Sequence, residues 1–318
     1  MNKKKPRIII VGFGVQGKKR KIFASDHLVS LVDPIALEAD VKNIKEISLN
    51  DFDAALICTG DKDKLDIIEY LIKNNKHVLV EKPLLSNSTK NLTDLLNLSK
   101  QNKVSCYTAY NHRFEPHFVK MKQLIQSDRL GKIYHIRMFY GNGTANLVKN
   151  SAWRDKNSGV LTDLGSHLLD TLHFWINDIT THDFEITKAH KKENLSFDHI
   201  IINNVSEKRK MSIELEMSLI SWKNTFTCDV IGEKGSAHIN SLCKWGPSEF
   251  IYRSRILPSG TPTETRKVLI QKDPTWNLEY KYFLNACGFN DTETLEKDIW
   301  INETLLNLSK KANVKFNI

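Results

Sequence analysis

The sequence predicts an α/β protein in two parts, a doubly wound parallel sheet over residues 1–114 and an α+β domain with a large, mostly antiparallel sheet over residues 115–318. Three observations carry this expectation. Up to residue 109, short and wholly apolar runs alternate with amphipathic ones, the pattern of buried parallel strands joined by crossover helices. The first such run, Ile8-Ile9-Ile10-Val11, leads straight into the glycine-rich turn Gly12-Phe13-Gly14-Val15-Gln16-Gly17. Beyond residue 130 the β-rich runs follow one another through turn residues, without helices placed to act as crossovers.

The turn justifies the first strand and helix. In G-x-G-x-x-G the first glycine allows a tight turn, the second lets an anion approach the backbone, and the third lets the helix pack closely on the strand. The second strand is Leu28-Val29-Ser30-Leu31-Val32, closed by Asp33 and Pro34, and Asp33 lies 21 positions beyond Gly12. An acid about 20 residues on accepts hydrogen bonds from the ribose of a dinucleotide, which makes this a Rossmann-type unit. Asp33 also repels a 2′-phosphate, so NAD is expected and NADP remains possible. Lys18, Lys19, Arg20 and Lys21 open the helix against its macrodipole, facing either pyrophosphate or solvent. The other reading of the turn is a glycine bend with a chance acid.

Ala54-Ala55-Leu56-Ile57-Cys58-Thr59 reads as a third strand, residues 63–74 as a helix, and His77-Val78-Leu79-Val80 as a fourth strand. A helix capped by Ser88 or Thr89 runs to Lys100, and residues 104–109 close the sheet. Ligands of such sheets lie beyond the carboxyl ends of the strands. Thr59-Gly60-Asp61, Glu81-Lys82-Pro83 and Tyr110-Asn111-His112-Arg113 fall there.

In the second part, strands are expected over residues 132–140, 199–204, 210–217, 223–231, 237–239, 250–256 and 266–270. Helices near 115–127, 163–176 and 276–287 should cover one face of their sheet. Met217, Ile220, Trp222 and Phe226 are expected to crowd the other face, which predicts a homodimer or homotetramer through it.

Composition narrows the function. The chain has 318 residues, 41% hydrophobic and 26% charged, enough for two ordinary globular domains. A net charge of +9 suits an anionic small molecule. Nucleic acid is not expected, since no finger, RNP motif or continuous basic helix is present. Five cysteines, widely spaced and without C-x-x-C, fit reduced thiols in a cytoplasmic protein better than disulfides or a metal site. No apolar run approaches 18 residues, and the basic residues near the start precede no signal-peptide core, so no membrane association is expected.

Asp163, His167 and Asp170 fall at i, i+4 and i+7, where carboxylates on one helix face flank an imidazole. One carboxylate fixes the tautomer and the other ring nitrogen takes a proton, a general-base arrangement. A capped amphipathic helix with a satisfied histidine, or a metal site, would show the same spacing. Lys82, held beside Pro83 past a strand end, can stabilise charge on a substrate oxygen, or it can be solvated like most lysines.

These motifs occur in an order that resembles the glucose-fructose oxidoreductase, inositol dehydrogenase and rhizopine catabolism (Gfo/Idh/MocA) family. The likeness covers the glycine turn, Asp33, Glu81-Lys82-Pro83, Tyr110-Asn111-His112-Arg113-Phe114, Trp153-Arg154 and the segment from Gly159 to Asp170. Ile231-Gly232-Glu233-Lys234-Gly235 and the helix from Trp276 extend it over nearly the whole chain. The resemblance implies an NAD(P)-dependent dehydrogenase acting on a secondary alcohol of a sugar, cyclitol or sugar derivative. It implies that Lys82 and His167 form a catalytic pair over the nicotinamide with Asp163 orienting, and that Asn111, Arg113, Trp153 and Arg154 bind substrate. Gly12 to Gly17, Asp33, Pro34, Thr59, Gly60, Glu81 and Lys82 would hold the cofactor. Two departures stand out: Asp61 and Lys64 replace the Asn and His of Thr-Pro-Asn-x-x-His, and Asn157-Ser158-Gly159 replaces a longer glycine run. A redox-neutral glycosidase-like enzyme using NAD, or a non-catalytic NAD(P)-binding regulator, would share the fold.

Overall fold

Ile8–Val11 forms β1, with every side chain at most 5% exposed. It lies between β2 (Leu28–Val32) and β3 (Ala54–Ile57), followed outward by β4 (His77–Glu81) and β5 (Cys106–Ala109). All four pairings are parallel. Crossovers are supplied by α1 (Val15–Ala24), α2 (Lys64–Lys73) and α3 (Thr89–Asn102). The order β2-β1-β3-β4-β5 reverses at β1, so the ends of β1 and β3 border the crevice where such sheets bind ligands. Successive residues of β1 serve opposite faces: Ile9 and Val11 pack with Ile57, Leu71 and Leu92, while Ile8 and Ile10 pack with Leu56 and Tyr107. The structure, a computed structural model, describes residues 5–151, 154–155, 159–176, 178–181, 183–204, 211–289 and 293–316.

The chain divides into two compact units, one comprising the residues up to Asn111 with Trp276–Glu303, the other His112–Thr275 with the residues from Thr304. This amends the contiguous division at residue 114. The helix expected to cover the antiparallel sheet, α7 in a chain-order count (Thr275–Phe289), instead gives Tyr280 and Phe283 to the core holding Ile8 and Leu56. Periodicity shows that a helix has a buried face; it does not say which sheet receives that face.

The second unit is an eight-stranded sheet of β6 (Ile133–Gly141), β7 (Phe184–His190), β8 (His199–Asn204), β9 (Ser212–Ser218), β10 (Thr225–Gly232), β11 (Gly235–Asn240), β12 (Ser248–Ile256) and β13 (Gly260–Leu269). The order is β13-β12-β11-β10-β6-β9-β8-β7, antiparallel except for β6 beside β9. The shorter helices of this unit are α4 (Pro116–Gln126), α5 (Ala145–Lys149) and α6 (Ser166–Trp175). The last helix of the chain, α8 (Glu293–Phe316), has Leu295 in the first unit's core, and its Lys311 and Lys315 donate to the carbonyls of Phe184 and Ile186.

Met217 and Phe226 are fully buried on the helix-covered side, where Phe226 meets Phe118 at 4.9 Å and Tyr140 at 6.2 Å between ring centres. Their expected place on the open face is therefore corrected. Strand alternation specifies two faces and leaves open which is covered. Trp222 is 89% exposed on a turn at φ 58°, and Ile220 is half-buried on the same turn. The opposite face carries ion pairs instead, Arg137 with Glu214 (3.0 Å) and Arg253 with Glu264 (2.8 Å), together with a hydrogen bond between His238 and Asp229 (2.6 Å). Among the described residues no disulfide joins the cysteines, no cluster of three His, Cys, Asp or Glu could hold a metal, and no helix is long and apolar enough to cross a membrane.

Candidate active site

Gly12 turns the chain after β1 at φ +92°, with its N–H donating to Val32 O at 2.8 Å. A Cβ at Gly12 would stand 2.7 Å from the Cys58 carbonyl carbon, and one at Gly17 would stand 2.1 Å from Gly12 O. Neither position admits a side chain. At Gly14 a Cβ would meet nothing within 4 Å, and Val15 and Gln16 beside it are exposed. No side chain caps this start of α1. Uncapped N–H groups at a helix N-terminus, facing open space, suit an anion such as pyrophosphate.

Asp33 follows β2, with Pro34 exposed next to it. Its Oδ2 accepts from Phe13 N–H at 2.7 Å and its Oδ1 from the N–H groups of Ile35 and Ala36, both at 2.8 Å. Burial pushes the carboxyl up, but the three donors outweigh it and hold Asp33 below its ordinary value. Each oxygen has two lone pairs, so Oδ2 keeps one for a ribose hydroxyl. Asp33 thus fixes the glycine turn as well as presenting an acceptor, and the residues present fit a dinucleotide.

The basic run at the start of α1 separates residue by residue. Lys18 pairs with Glu38 at 3.5 Å, and Lys18 and Lys21 lie over the Phe13 ring. Arg20 faces neither pyrophosphate nor solvent, being 1% exposed and bonded to Glu81 (2.6 Å) and Glu279 (2.7 Å). Tyr107 OH donates to the other oxygen of Glu279 at 3.4 Å. Hence the Glu81 carboxylate, expected at the cofactor, holds the helix that begins at the glycine turn.

Lys82 follows Glu81 at the end of β4, joined to Pro83 by a cis peptide bond. Lys64 Nζ donates to Asp61 Oδ1 (2.6 Å), Glu81 O (3.4 Å) and Pro83 O (3.3 Å). Downstream, Ser86 and the Asn302 side-chain amide exchange two hydrogen bonds, each 3.0 Å. Thr59 and Gly60 sit past the end of β3, Thr59 half-buried and Gly60 exposed.

In the second unit a wide π turn over Leu161–Gly165 leads into α6, placing Asp163 on the turn and His167 and Asp170 on the helix. His167 is 7% exposed and stacks on His112 with ring centres 4.1 Å apart and planes inclined by 20°. Tyr140 meets His167 edge-on at 6.0 Å. Asp163 accepts from Arg154 at 3.2 Å, and both oxygens of the buried Asp170 accept from Arg113 Nε, at 3.0 and 2.9 Å. Lys244 Nζ lies 3.1 Å from His112 Nε2 and 3.4 Å from the Tyr140 hydroxyl. Burial, then the charges of Asp163 and Glu115, push the Tyr140 phenol up, so it stays neutral while accepting from Lys244. The arrangement can therefore accept or return a proton at an imidazole held by the face of one ring and the edge of another. Asn111 opens the short turn Asn111–Phe114 that carries His112 and Arg113. Trp153 lies outside the described residues.

Sequence reasoning gave no site role to His112, Tyr140, Lys244 or Glu279, and it marked Lys64 only as a departure from the family's motif. For His112 a signal existed, since it stands between Asn111 and Arg113 in the motif already singled out. Lys244 sits in a short Cys243–Trp245 turn with no local signature, and only tertiary folding brings it to His112.

Comparison with known proteins follows the same division. Residues 7–110 match the family described as "Oxidoreductase family, NAD-binding Rossmann fold", and residues 118–238 match the GFO/IDH/MocA C-terminal domain. Inositol 2-dehydrogenase of Rhizobium meliloti is 26% identical over 165 residues, 49% of each chain. Glucose-6-phosphate 3-dehydrogenase of Bacillus subtilis is 25% identical over 188 residues, 53% of each chain. The chain thus spans about half the length of these curated relatives. Levoglucosan dehydrogenase, in a complex with NADH, superposes with a TM-score of 0.81 at 15% identity, covering 97% of this chain and 98% of that one. An oxidoreductase from Agrobacterium radiobacter, in complex with NAD+, L-tartaric acid and magnesium, gives 0.75 at 13% identity, covering 97% and 96%. At these identities the structural likeness speaks for the fold.

Proposed function

Because the chain belongs to the GFO/IDH/MocA oxidoreductase family, with an NAD-binding Rossmann domain, we propose that it is a dehydrogenase oxidising a secondary alcohol of a sugar, cyclitol or sugar derivative. The observation that carries this reading is the glycine turn, closed to side chains at Gly12 and Gly17 and open at Gly14, with Asp33 bonded across it. The nicotinamide, when bound, supplies the hydride acceptor.

His167 takes the hydroxyl proton. Its stacking on His112 fixes the ring plane. Lys82 stabilises the oxygen as charge develops. Asp163, paired with Arg154, orients substrate, and Asn111, Arg113 and Trp153 line the substrate site. The backbone of residues 12–17, Asp33, Pro34, Thr59 and Gly60 hold the dinucleotide, Glu81 serves it by holding Arg20 and the helix that starts at the glycine turn, and the Asp33 carboxylate favours NAD over NADP. Support for a sugar-like substrate comes from the relatives, which are named for inositol, glucose 6-phosphate and levoglucosan. A cytoplasmic location and assembly through the open face of the eight-stranded sheet belong to the same reading.

The test is NADH absorbance with myo-inositol, glucose 6-phosphate, levoglucosan and nucleotide sugars. His167→Ala and Lys82→Ala should each lower kcat by about 100-fold or more, the scale of positioned proton transfer and charge stabilisation. Unchanged rates in both variants would remove the mechanism.

A further inference from the structure

Lys64 is a costly residue where it stands. It is the first residue of α2, where a cation opposes the macrodipole, and it is only 4% exposed. What offsets that cost is a full set of acceptors: the three N–H bonds of one ammonium meet Asp61 Oδ1, Glu81 O and Pro83 O. Asp61 is half-exposed, so its carboxylate stays hydrated while it neutralises Lys64. The two carbonyls belong to the residues immediately before and after Lys82. Tethering both to one buried atom fixes the peptide plane that enters Lys82 and the one that leaves Pro83, so that Lys82 is clamped between two held points of the backbone and the direction in which its side chain leaves the chain is restrained.

We propose that Lys64, locked by Asp61, is a positioning residue for Lys82. The proposal rests on the reading of Lys82 as catalytic. Arg20 holds the Glu81 side chain and Asn302 holds Ser86, so the segment is anchored on both flanks, and Lys64 supplies the hold on the backbone next to Lys82 itself. Small displacements of a reacting group are expensive: about 1 Å of misplacement costs on the order of 100-fold in rate. The ammonium of Lys64 is spent on Asp61 and the two carbonyls, so its effect passes through the geometry of its neighbour.

The experiment compares the full chain with Lys64→Met, Lys64→Arg, Asp61→Asn and Lys82→Ala by amide hydrogen exchange and by turnover. Exchange over residues 80–88 should quicken roughly tenfold in Lys64→Met, while residues 8–24 keep their protection, because a local tether and not the global fold has been cut. In the sugar assays kcat should fall about tenfold or more at unchanged KM for NAD, the signature of lost positioning rather than lost binding, and Lys64→Arg should restore both readings. Asp61→Asn, at a half-exposed position, should give a smaller change of the same kind and carries the test if Lys64→Met does not fold. Unaltered exchange over residues 80–88 in Lys64→Met and Asp61→Asn overturns the tether. Normal kcat in Lys64→Met beside a severe loss in Lys82→Ala overturns the positioning role. Normal turnover in Lys82→Ala refutes the catalytic reading instead, and the exchange result then still decides whether Lys64 holds the segment.

Discussion

One guanidinium serves two carboxylates at Arg20, so the group formed with Glu81 and Glu279 is negative whenever both acids are ionised. Burial, reinforced by Glu81 and opposed by Arg20, pushes the Glu279 carboxyl up to about 7 from an ordinary 4.5. The folded chain therefore keeps a proton that the unfolded chain releases near pH 4.5, and the stabilisation this group contributes is lost as pH rises from there through 7. Urea midpoints should fall between pH 5 and pH 8, and Glu279→Gln should flatten that slope; a midpoint that rises in the native chain and is unaltered by the variant would refute the assignment. At this scale the sequence was legible where backbone rules dictate residue type. Gly12, Gly17 and Asp33 could be read because only glycine fits two of those positions and an acid recurs at a fixed distance. The role of Lys244 could not be read, since its partners His112 and Tyr140 lie far away along the chain, and Lys64, which stood out as a departure beside Asp61, could not be given its hold on the carbonyls of Glu81 and Pro83.

At the scale of elements, the strand, turn and helix over residues 8–24 behave as one object. Gly17→Ala puts a methyl 2.1 Å from a carbonyl oxygen that is itself fixed by the turn, so relief requires the turn to move. The expected cost is about 1–3 kcal/mol of stability, as for overpacked cores, together with weakened NADH binding; melting curves and NADH fluorescence titration check the two, and native values in both would mean the turn is softer than its contacts imply. Strand and helix periodicity located most elements to within a few residues, because alternation and 3.6-residue spacing are local. Which face meets which layer is not local. Phe226 on the covered side and α7 on the parallel sheet both follow from long-range packing that the pattern of apolar residues leaves undetermined.

For the molecule as a whole, the first unit is built from two separated stretches, the second of them beginning at Trp276. That stretch brings Glu279 to Arg20 and Tyr280 and Phe283 to the parallel sheet. A chain ending at Thr275 should therefore lose NADH binding and the first unit's cooperative melting, even though every residue of the glycine turn is present. Retention of tight NADH binding by that truncation would show α7 to be dispensable. Length and composition point to two domains, and they cannot foresee the return of the chain to the first unit, because composition carries no order.

The same return has a consequence for how the protein comes into being. On the ribosome, the segment that binds first in sequence emerges first, yet it waits with an uncovered apolar face and a half-paired Arg20 until the entire intervening sheet has been synthesised. Nascent chains stalled before residue 276 would then be the form most in need of chaperone cover.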